Sequence, residues 1–245
     1  MVDLIRESMA GKVAVILGVG PGQGITATKL FINFGAKVAL ISRSGNTFGL
    51  AESSTIKAYK ADATNEDELV AARDKILSDY GQIDFLYNNV GKWLDPGKSP
   101  AFPDKGEMAD MFESNVLTLE SATKIFSDAM KKSGGSIVNV GAAESLFRGN
   151  TMSYTVAKSA VTELTRKSAE ALRKYNIRVN CVHPGSVHAE GDYRHIFPFN
   201  FQKLADGTEL HPIEVGYVGV FLASEMAYAI NGQSITVDRG SKTVD

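Results

Sequence analysis

Val13-Ala14-Val15-Ile16-Leu17-Gly18-Val19-Gly20-Pro21-Gly22-Gln23-Gly24-Ile25 decides the fold of this chain. An unbroken apolar run of this length reads as a strand covered on both faces. It ends on four closely spaced glycines and passes straight into a helical pattern. Small residues let the chain turn sharply and let its backbone come close to a ligand. The free N–H groups and the dipole of the following helix then favour negative charge. A glycine pattern between a strand and a helix therefore predicts a pyrophosphate-binding turn, with Gly18, Gly20, Gly22, Gln23, Gly24 and Ile25 against a dinucleotide. The competing reading is a tight βα turn without a ligand.

The same rhythm continues outward. Strand-like runs occur at Lys37–Ser42, Ile56–Tyr59, Phe85–Tyr87, Ser136–Val140, Ile177–Val182 and Ser234–Val237. Helical patterns lie between them at Gly24–Phe34, Glu66–Tyr80, Glu107–Lys132, Ser153–Lys174 and Glu214–Leu222. This alternation predicts βαβ units and an α/β fold with a parallel sheet. Gly35 and Gly81 are placed as helix stops, and Asn65 with Glu68 as a capping arrangement. No repeat or low-complexity linker divides residues 1–245, so one domain is expected. Two segments break the rhythm: 92–106, with the lone Trp93, and 188–212, which carries Tyr193, Phe197, Phe199 and Phe201. Both follow strand ends on the edge where such sheets bind ligands, which marks 188–212 as a substrate loop.

Composition narrows the function classes. The chain of 245 residues is 44% hydrophobic and 22% charged, with a formal net charge of −2. It has no block of like charge to bind nucleic acid or an anionic membrane. The start has no secretory pattern and no run reaches the ~20 apolar residues of a membrane span, so the cytoplasm is expected. Cys181, the only cysteine, sits in an apolar run and reads as an inert buried thiol. His183, His188, His195 and His211 match no common zinc spacing, so no metal site is expected.

Further motifs follow in a fixed order. They are Gly18, Gly22 and Gly24 in G-x-x-x-G-x-G spacing, Asp62-Ala63, Asn88-Asn89-Val90-Gly91, Asn115, Tyr154-Thr155-Val156-Ala157-Lys158, Pro184-Gly185, and Asn231-Gly232-Gln233 through Val237-Asp238. In this order and at these separations the chain resembles the short-chain dehydrogenase/reductase family along almost its whole length. The resemblance implies a doubly wound Rossmann-type sheet of order 3-2-1-4-5-6-7, and alcohol–carbonyl interconversion by hydride transfer with a nicotinamide dinucleotide. It implies a small-molecule substrate and a homotetramer or homodimer, with the helices of Asn115 and Tyr154 buried between subunits. Asp62, Ala63, Asn89, Val90, Gly91, Pro184, Gly185 and Val187 would line the cofactor, together with Tyr154 and Lys158. Tyr154 would exchange the proton, Lys158 would hold the nicotinamide ribose, and Asn115 would carry a relay water.

Ser42 and Arg43 close the second strand where an acidic residue would select NAD. A hydroxyl followed by a guanidinium suits a 2′-phosphate and predicts NADP(H) over NAD. Tyr154 and Lys158 are four apart on a helix and share a face. A nearby ammonium is expected to favour the phenolate and bring the tyrosine toward the working pH range.

One member of the expected machinery is missing. The family normally carries a serine thirteen residues before the tyrosine, and here that position is Gly141. Three accounts compete: Ser145 curls back as donor; a backbone N–H or a water polarises the substrate; or the chain binds dinucleotide as a sensor or regulatory subunit with little catalysis. A threonine often found five residues past the proline is Ala189 here, with Ser186 or the Val187 backbone as substitutes. Trp93 reads equally as a pocket wall or a loop anchor, and the aromatics of 193–201 as a lid or a subunit contact.

Overall fold

A computed structural model describes residues 2–188 and 209–241. Among them β1 (Val13–Leu17), β2 (Lys37–Ser42), β3 (Ile56–Lys60), β4 (Phe85–Asn88), β5 (Gly135–Val140), β6 (Ile177–Pro184) and β7 (Ser234–Val237) form one parallel sheet. Its order is β3-β2-β1-β4-β5-β6-β7, as expected. The helices are α1 (Val2–Met9), α2 (Gln23–Asn33), α3 (Glu66–Tyr80), α4 (Lys105–Phe112), α5 (Thr118–Met130), α6 (Met152–Leu172) and α7 (Pro212–Ala223).

Strand side chains alternate between two cores, as the twofold period of a strand requires. Ala14, Ile16, Val38, Leu40, Tyr87 and Val182 pack with Leu30 and Phe31 of α2 and Val220 of α7. Val13, Val15, Leu17, Ala39, Ile41 and Val179 pack with Ile76 of α3 and Phe126 of α5 on the other face. Both faces being dry explains why β1 has no polar position. Because β1 is flanked by β2 and β4, successive crossovers leave it in opposite directions. That reversal opens a crevice at the C-terminal ends of β1 and β4.

Local signals act largely as read. Gly81 ends α3 with φ +80, and Gly35 follows the end of α2 with φ +92. Asn65 caps α3 by accepting from Asp67 N and Glu68 N, whereas the Glu68 carboxylate reaches past it to Asp62 N at 2.7 Å. The long helix expected at 107–132 is not uniform. Glu113–Leu117 forms a π turn between α4 and α5, and buried Asn115 bonds from within it to Met111 O and Lys92 O. α1 is unexpected and docks through Ile5 and Met9. Cys181 is fully buried, which pushes its thiol up to about 12. No described helix is long and apolar enough to cross a membrane. Ala189, Tyr193, His195, Phe197, Phe199 and Phe201, and most of the expected loop 188–212, lie outside the described residues.

One side chain of β6 closes the C-terminal end of α7. Arg178 donates to Leu222 O (2.8 Å), Ala223 O (3.1 Å), Ser224 O (2.9 Å) and Ile230 O (3.3 Å), which satisfies the carbonyls at the helix end. Arg178→Met is expected to cost about 2–4 kcal/mol, read as a lower urea midpoint with an unchanged far-ultraviolet spectrum.

Candidate active site

The glycine turn is built by contact between the ends of β1 and β4. Gly18 has φ +87, and a Cβ there would lie 2.7 Å from Val90 N. A Cβ on Gly24 would lie 2.6 Å from Gly18 O. Asn89 locks this approach by donating from Nδ2 to Gly18 O at 2.9 Å, while Asn89 N donates to Leu17 O at 2.9 Å. Beyond the turn the backbone stands open: a Cβ at Gly20 or Gly22 would meet nothing within 4 Å. No side chain caps α2 at Gly22, and the buried Gln23 Oε1 has no hydrogen-bond partner. An uncapped helix start beside an orphaned polar atom and bare backbone fits a bound polyphosphate.

On one side of the turn a cleft of about 830 Å³ is lined by Ser42, Arg43, Asp62, Ala63, Asn89, Val90 and Gly91. Ser42 Oγ accepts from Gly45 N, and the exposed Arg43 stands beside it at this mouth. Asp62 Oδ1 accepts from Thr64 N (3.0 Å) and Thr64 Oγ1 (2.8 Å). Those bonds, helped by the charge of Arg43, hold its carboxyl below the usual range. Ile25 is buried on α2 behind the turn and lines neither cleft.

On the other side a second cleft of about 970 Å³ brings Gly22, Gln23, Asn89 and Gly91 together with Tyr154, Lys158, Pro184, Gly185 and Val187. Thr151 starts α6 by accepting from Tyr154 N at 3.1 Å, which fixes the first turn carrying the tyrosine. Lys158, one turn on, is buried and donates to Val140 O at 3.3 Å. Asn115 faces the same corner: its Oδ1 accepts from Lys92 N (3.1 Å) and its Nδ2 donates to Lys92 O (3.0 Å). A Cβ on Gly91 would meet Asn115 Oδ1 at 2.8 Å and Lys158 Nζ at 3.0 Å, so a larger residue there would displace one of these side chains.

The electrostatics differ from the simple ammonium-and-phenolate picture. Burial pushes Tyr154 up to about 12 and Lys158 down to about 8. The lysine, itself out of water and 6.0 Å from the tyrosine ring centre, does not offset the desolvation of a phenolate. Tyr154 is therefore a neutral phenol near pH 7.

The missing hydroxyl also has a structural counterpart. A Cβ on Gly141 would point into the His183 ring, 2.9–3.1 Å from its atoms. His183 is kept neutral by burial and donates from Nδ1 to Ala142 O at 2.7 Å. Ala142, which shares an apolar cluster with Tyr154, Met111, Val116 and Ala157 and lines the same cleft as Gly141, carries no donor either. Ser145 does not line the Tyr154 cleft. The 3-10 turn Glu144–Gly149 places it on a neighbouring cavity of about 700 Å³, where its buried Oγ has no partner. Sequence reading missed Ala142, the ring of His183, and Asn150 on the cleft wall. Their parts arise from contacts between distant segments and leave no local pattern.

Gly18→Ala is expected to fold with lower stability and to lose dinucleotide binding at least tenfold, measured by titration calorimetry, since Val90 or the turn must move. Lys158 gives a pH test. The unfolded lysine titrates near 10.5 and the folded one near 8, so the buried charge destabilises the fold in full below pH 8. That cost fades as pH rises from 8 to 10.5. Lys158→Met is expected to melt above the native chain at pH 7, with the gap closing across that window.

A family model described as enoyl-(acyl carrier protein) reductase matches residues 18–242. The 7alpha-hydroxysteroid dehydrogenase of Escherichia coli (strain K12) is 30% identical, covering 94% of each chain. The secoisolariciresinol dehydrogenase of Forsythia intermedia is 29% identical over 96% of this chain and 91% of that protein. A solved short-chain dehydrogenase/reductase from Serratia marcescens superposes with a TM-score of 0.77 at 26% identity, covering 97% of this chain and 100% of that one. With the sheet order, the glycine turn and the Tyr154–Lys158 cleft, these matches show that the chain belongs to the short-chain dehydrogenase/reductase family.

Proposed function

We propose that this protein is an NADP(H)-linked oxidoreductase that reduces a carbonyl compound to an alcohol, with Tyr154 as the proton donor. The observation that carries this reading is a shared cleft: the start of α2 at Gly22 and Gln23 opens into the same space as Tyr154 and Lys158. The dinucleotide, when bound, supplies the hydride that reaches the carbonyl carbon. Tyr154, neutral near pH 7, gives its proton to the carbonyl oxygen as that charge develops. Lys158 then stands beside the phenolate, charged below pH about 8. Asn115 holds Lys92 and Gly91 in place at the corner of the cleft. The preference for NADP(H) rests on Arg43, whose guanidinium suits a 2′-phosphate. Cytoplasmic residence belongs to the same proposal, as does a homotetramer or homodimer. The latter is supported by Leu117, Met152 and Val156, apolar side chains 41–46% exposed near Asn115 and Tyr154.

One observation favours a second reading, a dinucleotide-binding sensor: Ala142 and Gly141 give the cleft no hydroxyl to polarise a substrate. The two separate in a screen of aldehydes, ketones, sugars and acyl thioesters for NADPH oxidation. Binding without turnover on any of them selects the sensor. For the enzyme, Tyr154→Phe is expected to lower kcat by about 10²–10⁴, and Arg43→Ala to reduce the NADPH/NADH ratio of kcat/KM. An unchanged ratio overturns the cofactor assignment. Ala142→Ser is expected to raise kcat roughly tenfold or more. Gly141→Ser, forced against His183, is expected to lower stability without that gain.

A further inference from the structure

Trp93, the only tryptophan of the chain, is pinned from two sides and yet left open. Its indole Nε1 donates to Asn150 Oδ1 at 2.6 Å. Asn150 is itself fixed, donating from Nδ2 to Leu146 O at 2.7 Å and from N to Phe147 O at 3.3 Å. The preceding residue, Lys92, is held at both its N–H and its carbonyl by Asn115. A tryptophan that merely anchored a loop would bury its rings, but Trp93 keeps 59% of its surface exposed. With the indole N–H already bonded, what it offers is an apolar aromatic face. Trp93, Asn150, Leu146 and Val187 line the same cleft as Tyr154. The registration is close in the chain as well: Asn150 orients the indole and the next residue, Thr151, caps the turn bearing Tyr154.

We infer that Trp93 is a fixed aromatic wall of the substrate compartment and selects ring-bearing carbonyl compounds over open-chain ones, a specificity that rests on the oxidoreductase reading above. A rigid ring system covers an immobile aromatic face without losing internal rotations. An open chain of equal carbon number must freeze several rotors to cover the same area. Asn150 makes this selective, because an indole tethered at its N–H is held back from swinging to follow a flexible chain.

The test uses 2-decalone and 2-decanone, a fused-ring and an open-chain ketone of ten carbons each. Because Trp93 is the sole tryptophan, covering it is expected to shift protein emission to the blue, with 2-decalone half-saturating at a concentration at least roughly tenfold lower than 2-decanone. In NADPH oxidation the native chain is expected to favour 2-decalone in kcat/KM. Trp93→Leu is expected to lose that preference about tenfold, mainly through KM, and Trp93→Phe to retain most of it. A blue shift with the stated selectivity but no turnover of either ketone sustains the wall, and the oxidoreductase reading then falls only if the wider panel of aldehydes, sugars and acyl thioesters is not turned over either. Emission unmoved by either ketone, equal half-saturation, or a preference that survives Trp93→Leu overturns the wall, whatever the turnover.

Discussion

The ends of β1 and β4 meet so closely at Gly18 and Val90 that no side chain fits between them, and the geometry of both clefts follows from that contact. It forces the chain to leave β1 through a positive-φ residue, which aims α2 with its uncapped end toward the crevice. Asn89, bonding to Gly18 O, carries the constraint to β4. From there Gly91 brings the chain against the side-chain ends of Asn115 and Lys158. β1 and β4 are central strands buried along their whole length, and their fixed register holds the contact in place.

Burial sets the chemistry of the second cleft more than charge pairing does. Both members of the Tyr154–Lys158 pair are taken out of water, so each is driven toward its neutral form. A protonated phenol keeps its proton in the free protein, because losing it would place a charge out of water. The lysine, poised near pH 8, then has a charge that its surroundings decide.

The end of β5 shows how one vacancy is filled from another strand. Glycine at 141 leaves room that the His183 ring of β6 occupies, and the bond from His183 to Ala142 O ties the two strand ends together just beyond their ladder. Ser145, which by spacing alone was a candidate donor, is carried by a 3-10 turn to a different cavity. The apolar Ala142 is left beside Tyr154.

By itself the sequence determined whatever depends on local periodicity and on motif order: the apolar strands, the helix stops at Gly35 and Gly81, the Asn65 cap, the glycine turn and the sheet order implied by the resemblance. These rest on interactions within a few residues, or on spacing kept along the chain. Only the tertiary structure decided the rest. It divided the long helix with a π turn at Asn115, turned Ser145 away, put His183 against Gly141, and joined Trp93 to Asn150 across 57 residues. It also reversed the expected direction of the Tyr154 pKa shift, because desolvation is set by everything packed around a side chain and no spacing along the chain encodes it.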